Sequence, residues 1–263
     1  MEVHCPFVAR KCEPGQFIIL CVEPDGERIP LTIASYNREK ETITIIYQVV
    51  GYSTRQLSMK NVGDTIQYLV GPLGQETHIP KGKKILGIGG GVGIAPLYPQ
   101  LTKAKELGGE IDCILGGQNT DFIILKDEME TICNRVYYTS NDGSIGTQGF
   151  VTDPLTTLLE NGESYDLVIA IGPLPMMKAV CDITKKYGIK TNVSLNPIMI
   201  DGTGMCGGCR VTIGGETKFA CVDGPDFNGH LVDFEEAIRR QGMYKEEEHN
   251  HQCRMGSEIK HAK

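Results

Sequence analysis

One segment near the middle of the chain, Lys84-Ile-Leu-Gly-Ile-Gly-Gly-Gly-Val-Gly-Ile-Ala-Pro96, runs from an apolar β-type stretch through glycines into a helical pattern. Glycines between a strand and a helix let a phosphate approach the backbone, and the N-terminus of the helix attracts its negative charge. The segment therefore predicts the first strand, turn and helix of a nucleotide-binding α/β domain. The alternative is that the glycines serve only a tight turn.

Apolar β-type runs alternate with helical patterns across residues 76–195, which predicts βαβ units and a Rossmann-like parallel sheet. The predicted strands are Lys84–Ile88, Ile111–Leu115, Val136–Thr139, Leu167–Ile171 and Thr191–Leu195. The predicted helices are Ile94–Leu107, Leu125–Cys133, Pro154–Leu159 and Pro175–Tyr187. Because such sheets bind ligands at the carboxyl ends of their strands, the turns there should line one crevice.

The candidate nucleotide contacts lie in these turns. They are Gly89, Gly90, Gly91, Val92, Gly93, Pro96, Gly116, Asp142, Gly172, Pro173 and Met176. No Arg or Lys stands where it would form a pocket for a 2′-phosphate, and this favours NADH over NADPH.

The first 75 residues contain short β-type runs separated by turn signals, a pattern typical of an antiparallel β-barrel. The predicted strands are Glu2–Val8, Gln16–Val22, Ile29–Ile33, Thr42–Val50 and Thr65–Val70. Because the chain opens almost inside its first strand, we expect either a truncated start or an upstream strand that is missing here.

Two segments of this barrel are candidate binding sites. The first, Arg28-Ile-Pro30-Leu31-Thr32, places a rigid bend beside a hydroxyl group. The second runs from a strand through Val49 and Gly51 into a short helix, which Ser53 or Thr54 would cap. The free N–H groups of that helix would suit a pyrophosphate. An ordinary strand, turn and helix is the alternative.

Beyond the α/β domain, Asp201-Gly-Thr-Gly-Met-Cys206-Gly-Gly-Cys209 is followed by Cys221. Glycine spacers allow backbone N–H groups to turn toward inorganic sulfide, so the pattern favours an iron–sulfur cluster. Cys206 and Cys209 would hold one iron, and Asp201 and Cys221 would close the other side. A structural zinc site and a small redox dithiol are the alternatives.

A β-hairpin and a helix are predicted around and after this motif. Strands Val211–Ile213 and Lys218–Cys221, joined at Gly214-Gly215, would return Cys221 to the other cysteines. Leu231–Arg240 has the pattern of an amphipathic helix. Residues 242–263 are polar and predict a mobile tail. The metal-like spacing of His249, His251 and Cys253 is better explained there by a solvated tail.

The composition describes an ordinary globular protein. A net charge of −7 argues against a nucleic-acid partner, and no apolar run approaches the length of a membrane span. We therefore expect a cytoplasmic protein. Among the ten cysteines, Cys5, Cys21, Cys113 and Cys181 fall in apolar runs and are expected in the core.

The barrel and the α/β domain together resemble the ferredoxin–NADP reductase superfamily. The resemblance implies that the Pro30-Leu31-Thr32 segment lies along the flavin ring, with Thr32 bonding near its N5 atom. It also implies that Gly51, Ser53 and Thr54 cradle the FAD pyrophosphate. The superfamily commonly has Arg where this chain has Ile29, so a phosphate contact from Arg28 does not follow.

The order of barrel (1–75), nucleotide domain (76–195) and cluster module with helix (196–241) is similar to the electron-transfer subunit of type B dihydroorotate dehydrogenase. Asp201 stands where that subunit has its first cysteine. This departure resembles the small subunit of NADH-dependent ferredoxin:NADP oxidoreductase, also described as sulfide dehydrogenase.

That resemblance implies FAD, a [2Fe–2S] cluster and NAD(H) as substrate. It also implies a heterodimer with a larger flavin and [4Fe–4S] subunit like the glutamate synthase small subunit, and through it ferredoxin and electron bifurcation. A dihydroorotate dehydrogenase B subunit is one alternative. A zinc-stabilised nucleotide-binding module without redox activity is another.

Overall fold

The structure, a computed structural model, describes residues 1–244. Its N-terminal part is a five-stranded antiparallel sheet with two short helices. These elements are β1 Glu2–His4, α1 Pro6–Ala9, β2 Phe17–Cys21, β3 Ile29–Asn37, β4 Thr42–Ile45, α2 Tyr52–Ser58 and β5 Tyr68–Leu73. The strand order β1-β4-β3-β2-β5 leaves β1 and β5 at the two ends.

This sheet curls around one apolar core rather than forming a barrel with hydrogen bonds between its end strands. Val3 of β1 and Leu69 of β5 pack against the same buried cluster, which includes Ile18 and Ile43. Two predicted strands were too long. Val8 lies in α1, where Pro6 opens a helical turn, and β4 ends at Ile45, before the segment that leads to α2.

The middle part alternates strands and helices as the sequence predicts. Its elements are β6 Lys84–Gly90, α3 Ile94–Glu106, β7 Glu110–Gly117, α4 Lys126–Ile132, β8 Arg135–Ser140, β9 Thr147–Gln148, α5 Thr152–Glu160, β10 Leu167–Ile171, α6 Leu174–Lys186 and β11 Thr191–Ser194. A single 3₁₀ turn, Gly91–Gly93, joins β6 to α3.

The last part contributes β12 Arg210–Ile213, β13 Glu216–Phe219, β14 Asp226–Asn228 and α7 Phe234–Gln241. Strands β12 and β13 form the predicted hairpin, with Thr212 opposite Thr217. Strand β14, which the sequence did not predict, pairs antiparallel with β11 and completes a seven-stranded sheet of order β14-β11-β10-β6-β7-β8-β9.

One apolar core joins all three parts. It contains Phe17 and Ile19 of β2, Ile88 of β6, and both Cys209 and Cys221. The expected core cysteines Cys21, Cys113 and Cys181 are buried, whereas Cys5 is only partly buried. Within residues 1–244, no helix has the length and apolar character needed to cross a membrane.

Candidate functional site

The glycine turns of the middle part meet at one edge of the seven-stranded sheet. In the parallel registers Gly90 lies opposite Gly116, Gly117 opposite Ser140, and Gly89 opposite Ile171. These positions are at the carboxyl ends of β6, β7, β8 and β10, where open parallel sheets bind ligands. The edge therefore brings the sequence-predicted turns together.

Most of these glycines are required by close packing. A Cβ on Gly93 would lie 2.4 Å from the carbonyl oxygen of Ile171, and one on Gly90 would lie 2.5 Å from Sδ of Met176. A Cβ on Gly116 would lie 2.4 Å from Cγ1 of Val151. Real Cβ atoms do not approach so closely, so the backbone of this edge is fixed by contact with its own neighbours.

The tip of the turn is different. Gly91 has φ +55° and no atom within 4 Å of where its Cβ would be. It needs glycine for its left-handed backbone, and the space above it is open. Val92 beside it is 46% exposed. The tip is thus the part of the turn that a ligand can reach.

Two further predicted contacts border this edge. Pro173 is the N-cap residue of α6, and Met176 in the first turn of that helix covers Gly90 and Gly172. Asp142 follows β8, and its Oδ1 accepts a 2.9 Å hydrogen bond from the Ser144 backbone. Hydrogen bonds from Ser144 lower the pKa of Asp142, so this carboxylate is ionised at neutral pH.

The candidate flavin segment belongs to a strand, β3, that packs against the helix beginning at the glycine turn. Pro30, Leu31 and Thr32 are on β3 and pair with β2, with Thr32 opposite Phe17. All three are partly exposed, and β3 packs against α3. The strand that carries Thr32 therefore packs on the helix whose N-terminus faces the nucleotide edge.

The start of α2 is capped by Thr54, one of the two predicted residues, with Gly51 rather than Ser53 or Thr54 at the N-cap position. Gly51, with an extended backbone, is the N-cap residue, and Thr54 in the first turn accepts hydrogen bonds at 3.1 Å from the N–H groups of Gly51 and Val50. Ser53 does not cap the helix, because its hydroxyl donates to Glu27 at 3.1 Å. Val49, just before this turn, is half exposed.

Arg28 is engaged within the sheet rather than at this helix. Its Nε donates to the hydroxyl of Tyr68 on β5, and its guanidinium lies 5.3 Å from the centre of that ring. Glu27 is the residue here that the sequence analysis missed. The sequence around a charged side chain in a turn does not show which distant hydroxyl group will form a hydrogen bond with it.

Two of the four candidate cluster ligands are in direct contact. The Sγ atoms of Cys209 and Cys221 are 3.2 Å apart, and each residue is 1% exposed. The hairpin sets this contact, since Ala220 donates its N–H to the carbonyl of Cys209 at 3.1 Å. Burial raises the pKa of the Cys221 thiol to about 12.

The other two candidates are linked to each other through the backbone. Oδ2 of Asp201 accepts a 2.8 Å hydrogen bond from the N–H of Cys206, and Oδ1 accepts one of 2.8 Å from Thr203. These donors, Thr203 first, lower the pKa of Asp201. The hairpin brings the Cys221 thiol to that of Cys209, and the sharing of the four residues between two irons stays a prediction.

Gly202 allows this loop, residues 201–209, to pack on the N-terminal sheet of β1–β5, here called the flavin-side sheet. Gly202 has φ +75°, and a Cβ there would lie 2.6 Å from Leu73 of β5 and 2.8 Å from Ile19 of β2. Arg240 of α7 reaches the loop from the other side and donates to the carbonyl of Gly208 at 3.1 Å. No local sequence pattern indicates this arginine contact, because it depends on where α7 packs.

The loop fits a [2Fe–2S] group in its donors and its shape. Three thiols and one carboxylate are the needed number of ligands, and the backbone of Gly202, Gly204 and Gly207 is left-handed. Within residues 1–244, no three His, Cys, Asp or Glu side chains already converge on a point that could hold a single metal ion. His249, His251 and Cys253 lie outside the described residues.

Comparisons with known proteins agree with this geometry. The family model for the iron–sulfur cluster binding domain of dihydroorotate dehydrogenase B matches residues 196–233. The model for the oxidoreductase NAD-binding domain matches residues 88–182. The first match spans the cysteine loop and β14, and the second spans the glycine edge.

Whole-chain relatives extend the match. An uncharacterised protein of Clostridium beijerinckii is 50% identical over 94% of this chain and 86% of its own length. The dihydroorotate dehydrogenase B (NAD(+)) electron transfer subunit homolog of Thermotoga maritima is 44% identical, with 94% of this chain and 86% of that protein covered.

A solved structure is similar over nearly the whole length. A chain of the NADH-dependent reduced ferredoxin-NADP oxidoreductase, a structure described in connection with flavin-based electron bifurcation, is 43% identical with a TM-score of 0.91. The match covers 97% of this chain and 91% of that one. The chain thus belongs to the family of dihydroorotate dehydrogenase B-type electron-transfer subunits, oxidoreductase components that join an NAD-binding domain to an iron–sulfur domain.

Proposed function

We propose that the chain is the small subunit of an NADH-dependent ferredoxin:NADP oxidoreductase and passes electrons between NAD(H), FAD and a [2Fe–2S] cluster. The observation that carries the proposal is the shared core, in which the cysteine loop packs on the flavin-side sheet while the glycine edge faces that sheet through α3. Once bound, FAD and the cluster would supply hydride acceptance and transfer of single electrons.

The chain's own residues would bind and orient these groups. Thr32 on β3 would offer its hydroxyl near the flavin N5 atom, with Pro30 and Leu31 beside the ring. The N–H of Gly51 is bound to Thr54, so the backbone N–H groups of Ser53 and Thr54 in the first turn of α2 would face the pyrophosphate. A Cβ on Gly51 would meet no atom within 4 Å, so space for a phosphate exists at this turn.

The glycine edge would bind the dinucleotide. Gly91 and Val92 form the open tip, and Pro173 and Met176 border it on the α6 side. Asp142, whose pKa is lowered by Ser144, would keep a negative charge there at neutral pH. A fixed carboxylate near this edge disfavours a ligand with an additional phosphate, and this supports NADH over NADPH.

The cluster would be held by Asp201, Cys206, Cys209 and Cys221. Cys209 and Cys221 are buried, whereas Cys206 is exposed at the surface. Around it Ile200 is 54% and Met205 is 88% exposed. An exposed cluster ligand with apolar side chains beside it is suited to contact with another protein that accepts electrons from the cluster. We propose that this surface binds the larger subunit. The nine free cysteines of residues 1–244 suit a cytoplasmic location.

An anaerobic visible spectrum of the purified protein, recorded before and after NADH is added, tests the proposal. Flavin bands with a red shoulder that both bleach on NADH would support it. A protein that stays colourless after reconstitution with iron, sulfide and FAD would contradict it, and would leave a zinc-stabilised nucleotide-binding module as the better explanation.

A second candidate function, the electron-transfer subunit of dihydroorotate dehydrogenase B, is favoured by the family model that matches residues 196–233. Purification of the chain from its native source with its bound partner separates the two. A partner that oxidises dihydroorotate supports the second candidate. A partner that carries flavin and reduces ferredoxin supports the first.

A further inference from the structure

One carboxyl group outside the cofactor sites lies where three parts of the chain meet. Asp226 begins β14, and its Oδ2 atom accepts hydrogen bonds from the Thr77 hydroxyl and from Nε2 of Gln100, the latter at 3.1 Å. Thr77 follows the flavin-side sheet, Gln100 lies on α3, and β14 follows the cluster hairpin. A single oxygen atom therefore joins all three parts.

Two oxygen atoms of this cluster have no hydrogen-bond donor. Within residues 1–244, they are Oδ1 of Asp226 and Oε1 of Gln100. Gln100 is 0% exposed. Asp226 keeps some solvent contact as a residue, but its Oδ1 atom is buried. A buried acceptor without a donor costs free energy. One additional proton, shared between these two oxygens, would give both of them a hydrogen-bond partner.

Rotation of the Gln100 side-chain amide does not supply that proton. The rotation would exchange the positions of Nε2 and Oε1, which are similar in size. It would bring the amide oxygen within hydrogen-bond distance of Oδ2, so that two acceptors would face each other.

Close packing leaves little room for a water molecule on one side. A Cβ on Gly15 would lie 2.1 Å from Oγ1 of Thr77 and 3.2 Å from Oδ2 of Asp226. The N–H of Thr77 is itself bound to the carbonyl of Pro14 at 2.9 Å. The turn at Pro14-Gly15 therefore covers the carboxyl group directly.

The groups that face Asp226 are neutral. They are Thr77, Gln100 of α3 and Ser194 of β11. Burial without a cationic partner raises the pKa of this carboxyl group and outweighs the hydrogen bonds from these three residues, which lower it. The charged or titratable residues on the same elements are directed elsewhere. Glu13 pairs with Arg38, Lys103 pairs with Glu106, and Glu76 and His78 are exposed.

A second buried aspartate in the same sheet shows the contrast. Asp112, 0% exposed, accepts hydrogen bonds from Arg135 at 2.6 and 3.1 Å and from the Tyr165 hydroxyl at 2.9 Å. A buried carboxylate that keeps its charge has a cation and further donors of this kind. Asp226 has no such cation.

We propose that Asp226 is a positioning residue that works as a neutral carboxylic acid, with a proton on Oδ1 donated to Oε1 of Gln100. This one proton satisfies both unpartnered oxygens, while Oδ2 continues to accept from Thr77 and Gln100. The acid–amide pair then fixes the flavin-side sheet, α3 and the cluster segment relative to one another without burying a charge. The inference holds whether or not the proposed cofactors are bound.

A neutral Asp226 makes the free energy of unfolding fall as the pH rises. The native state keeps a proton that the unfolded chain releases above the ordinary pKa of an aspartate, about 4. The contribution of the pair to stability is therefore full below that pH and falls as the pH rises. The unfolding equilibrium constant should rise about tenfold per pH unit from this group, until the raised native pKa is reached.

Asp226→Asn tests this directly, because an amide mimics the shape and donor of the neutral acid. The thermal midpoint of the purified full chain with its bound groups is measured from about pH 5 to about pH 9, alongside Asp112→Asn. We expect the thermal midpoint of Asp226→Asn to rise relative to that of the wild-type protein as the pH increases. The midpoint of Asp112→Asn should lie below the wild-type value at every pH. A loss for Asp226→Asn as large as that for Asp112→Asn, constant with pH, would mean an ionised Asp226.

Infrared spectroscopy tests the protonation state of Asp226 in the wild-type protein, so this test does not depend on whether a variant folds. A carboxylic-acid C=O band at neutral pH that shifts on ¹³C labelling of aspartate would support the proposal. The absence of any such aspartic-acid band would overturn it, and would instead indicate a carboxylate bridged by an internal water molecule.

Discussion

The glycine edge and the cysteine loop both depend on glycine, but Gly90 and Gly93 of the edge and Gly207 of the loop are needed for different reasons. At the edge, Gly90 and Gly93 are held by neighbouring backbone and side chains, so the binding surface exists before any ligand arrives. In the loop, Gly207 has a left-handed backbone with only the Phe219 ring, 3.9 Å away, near its missing Cβ. The first site is shaped by the fold, whereas the second is completed by the group it binds.

Removal of a buried cluster ligand is expected to have the largest effect. Cys221→Ala should abolish the cluster absorbance, because a cluster loses a required thiolate and its binding free energy also stabilises the loop. Iron and sulfide analysis with the visible spectrum measures this. Cys181→Ala, at another buried free cysteine, should leave the spectrum unchanged. Retention of the cluster in Cys221→Ala would break the contrast between the two sites.

Substitution at the edge should cost stability even without a ligand. In Gly93→Ala the new Cβ would collide with the Ile171 carbonyl at 2.4 Å. We expect a loss of about 1–3 kcal/mol in the free energy of unfolding, seen as a lower melting temperature. Gly91→Ala, with open space but φ +55°, should cost about 1 kcal/mol. The loss in free energy of unfolding should therefore be larger for Gly93→Ala than for Gly91→Ala. Equal losses for the two variants would show that the edge is not pre-formed by packing.

The cysteine loop should loosen in acid. Backbone donors lower the pKa of Asp201, so the two hydrogen bonds to Thr203 and Cys206 are kept at neutral pH. They should be lost only as the pH falls below the ordinary aspartate value of about 4. Amide exchange at Thr203 and Cys206 in the cluster-free protein measures this. Asp201→Ala should exchange faster than the wild-type protein at neutral pH, and this difference should disappear once the wild-type carboxylate is protonated. An acid-dependent step that survives in this variant would belong to another group.

The flavin side should show the smallest effect. Glu27 accepts a hydrogen bond from Ser53 in the first turn of α2, where we place the FAD pyrophosphate. Removal of this like charge in Glu27→Gln should tighten FAD binding by a few-fold, equivalent to about 0.5–1 kcal/mol, and less at high salt. Fluorescence titration of the flavin-free protein measures the affinity. Glu23→Gln, an exposed acid nearby in sequence, is the matched control.

Local patterns were sufficient to predict the alternating middle part. The strand Leu167–Ile171 agrees residue for residue, and the helix Ile94–Glu106 differs from the prediction by one residue. The hairpin at Gly214-Gly215 was predicted for the same reason, since its turn chemistry is local. Hydrophobic period and turn residues act over a few positions and need no knowledge of the rest of the chain.

Features that depend on distant contacts were missed. Strand β14 is three residues long and is recognisable only through its pairing with β11. The cap of α2 was assigned to Ser53 or Thr54. Thr54 does accept from the N–H of the N-cap residue Gly51, but local pattern did not show that the Ser53 hydroxyl would donate to Glu27 instead. The importance of Asp226 and Gln100 likewise arises from their meeting across 126 residues, which no local pattern records.

Because β14 is made late in synthesis, the edge of the sheet at β11 stays unpaired until nearly the whole described chain has been translated. Until residue 228 has left the ribosome, β11 is an edge strand of an otherwise assembled parallel sheet, with unpaired N–H and C=O groups that can template pairing with other chains. The same strand arrives only after Cys221, the last of the proposed ligands, has emerged. Protection of the growing sheet and completion of the ligand set therefore fall within the same few residues of translation.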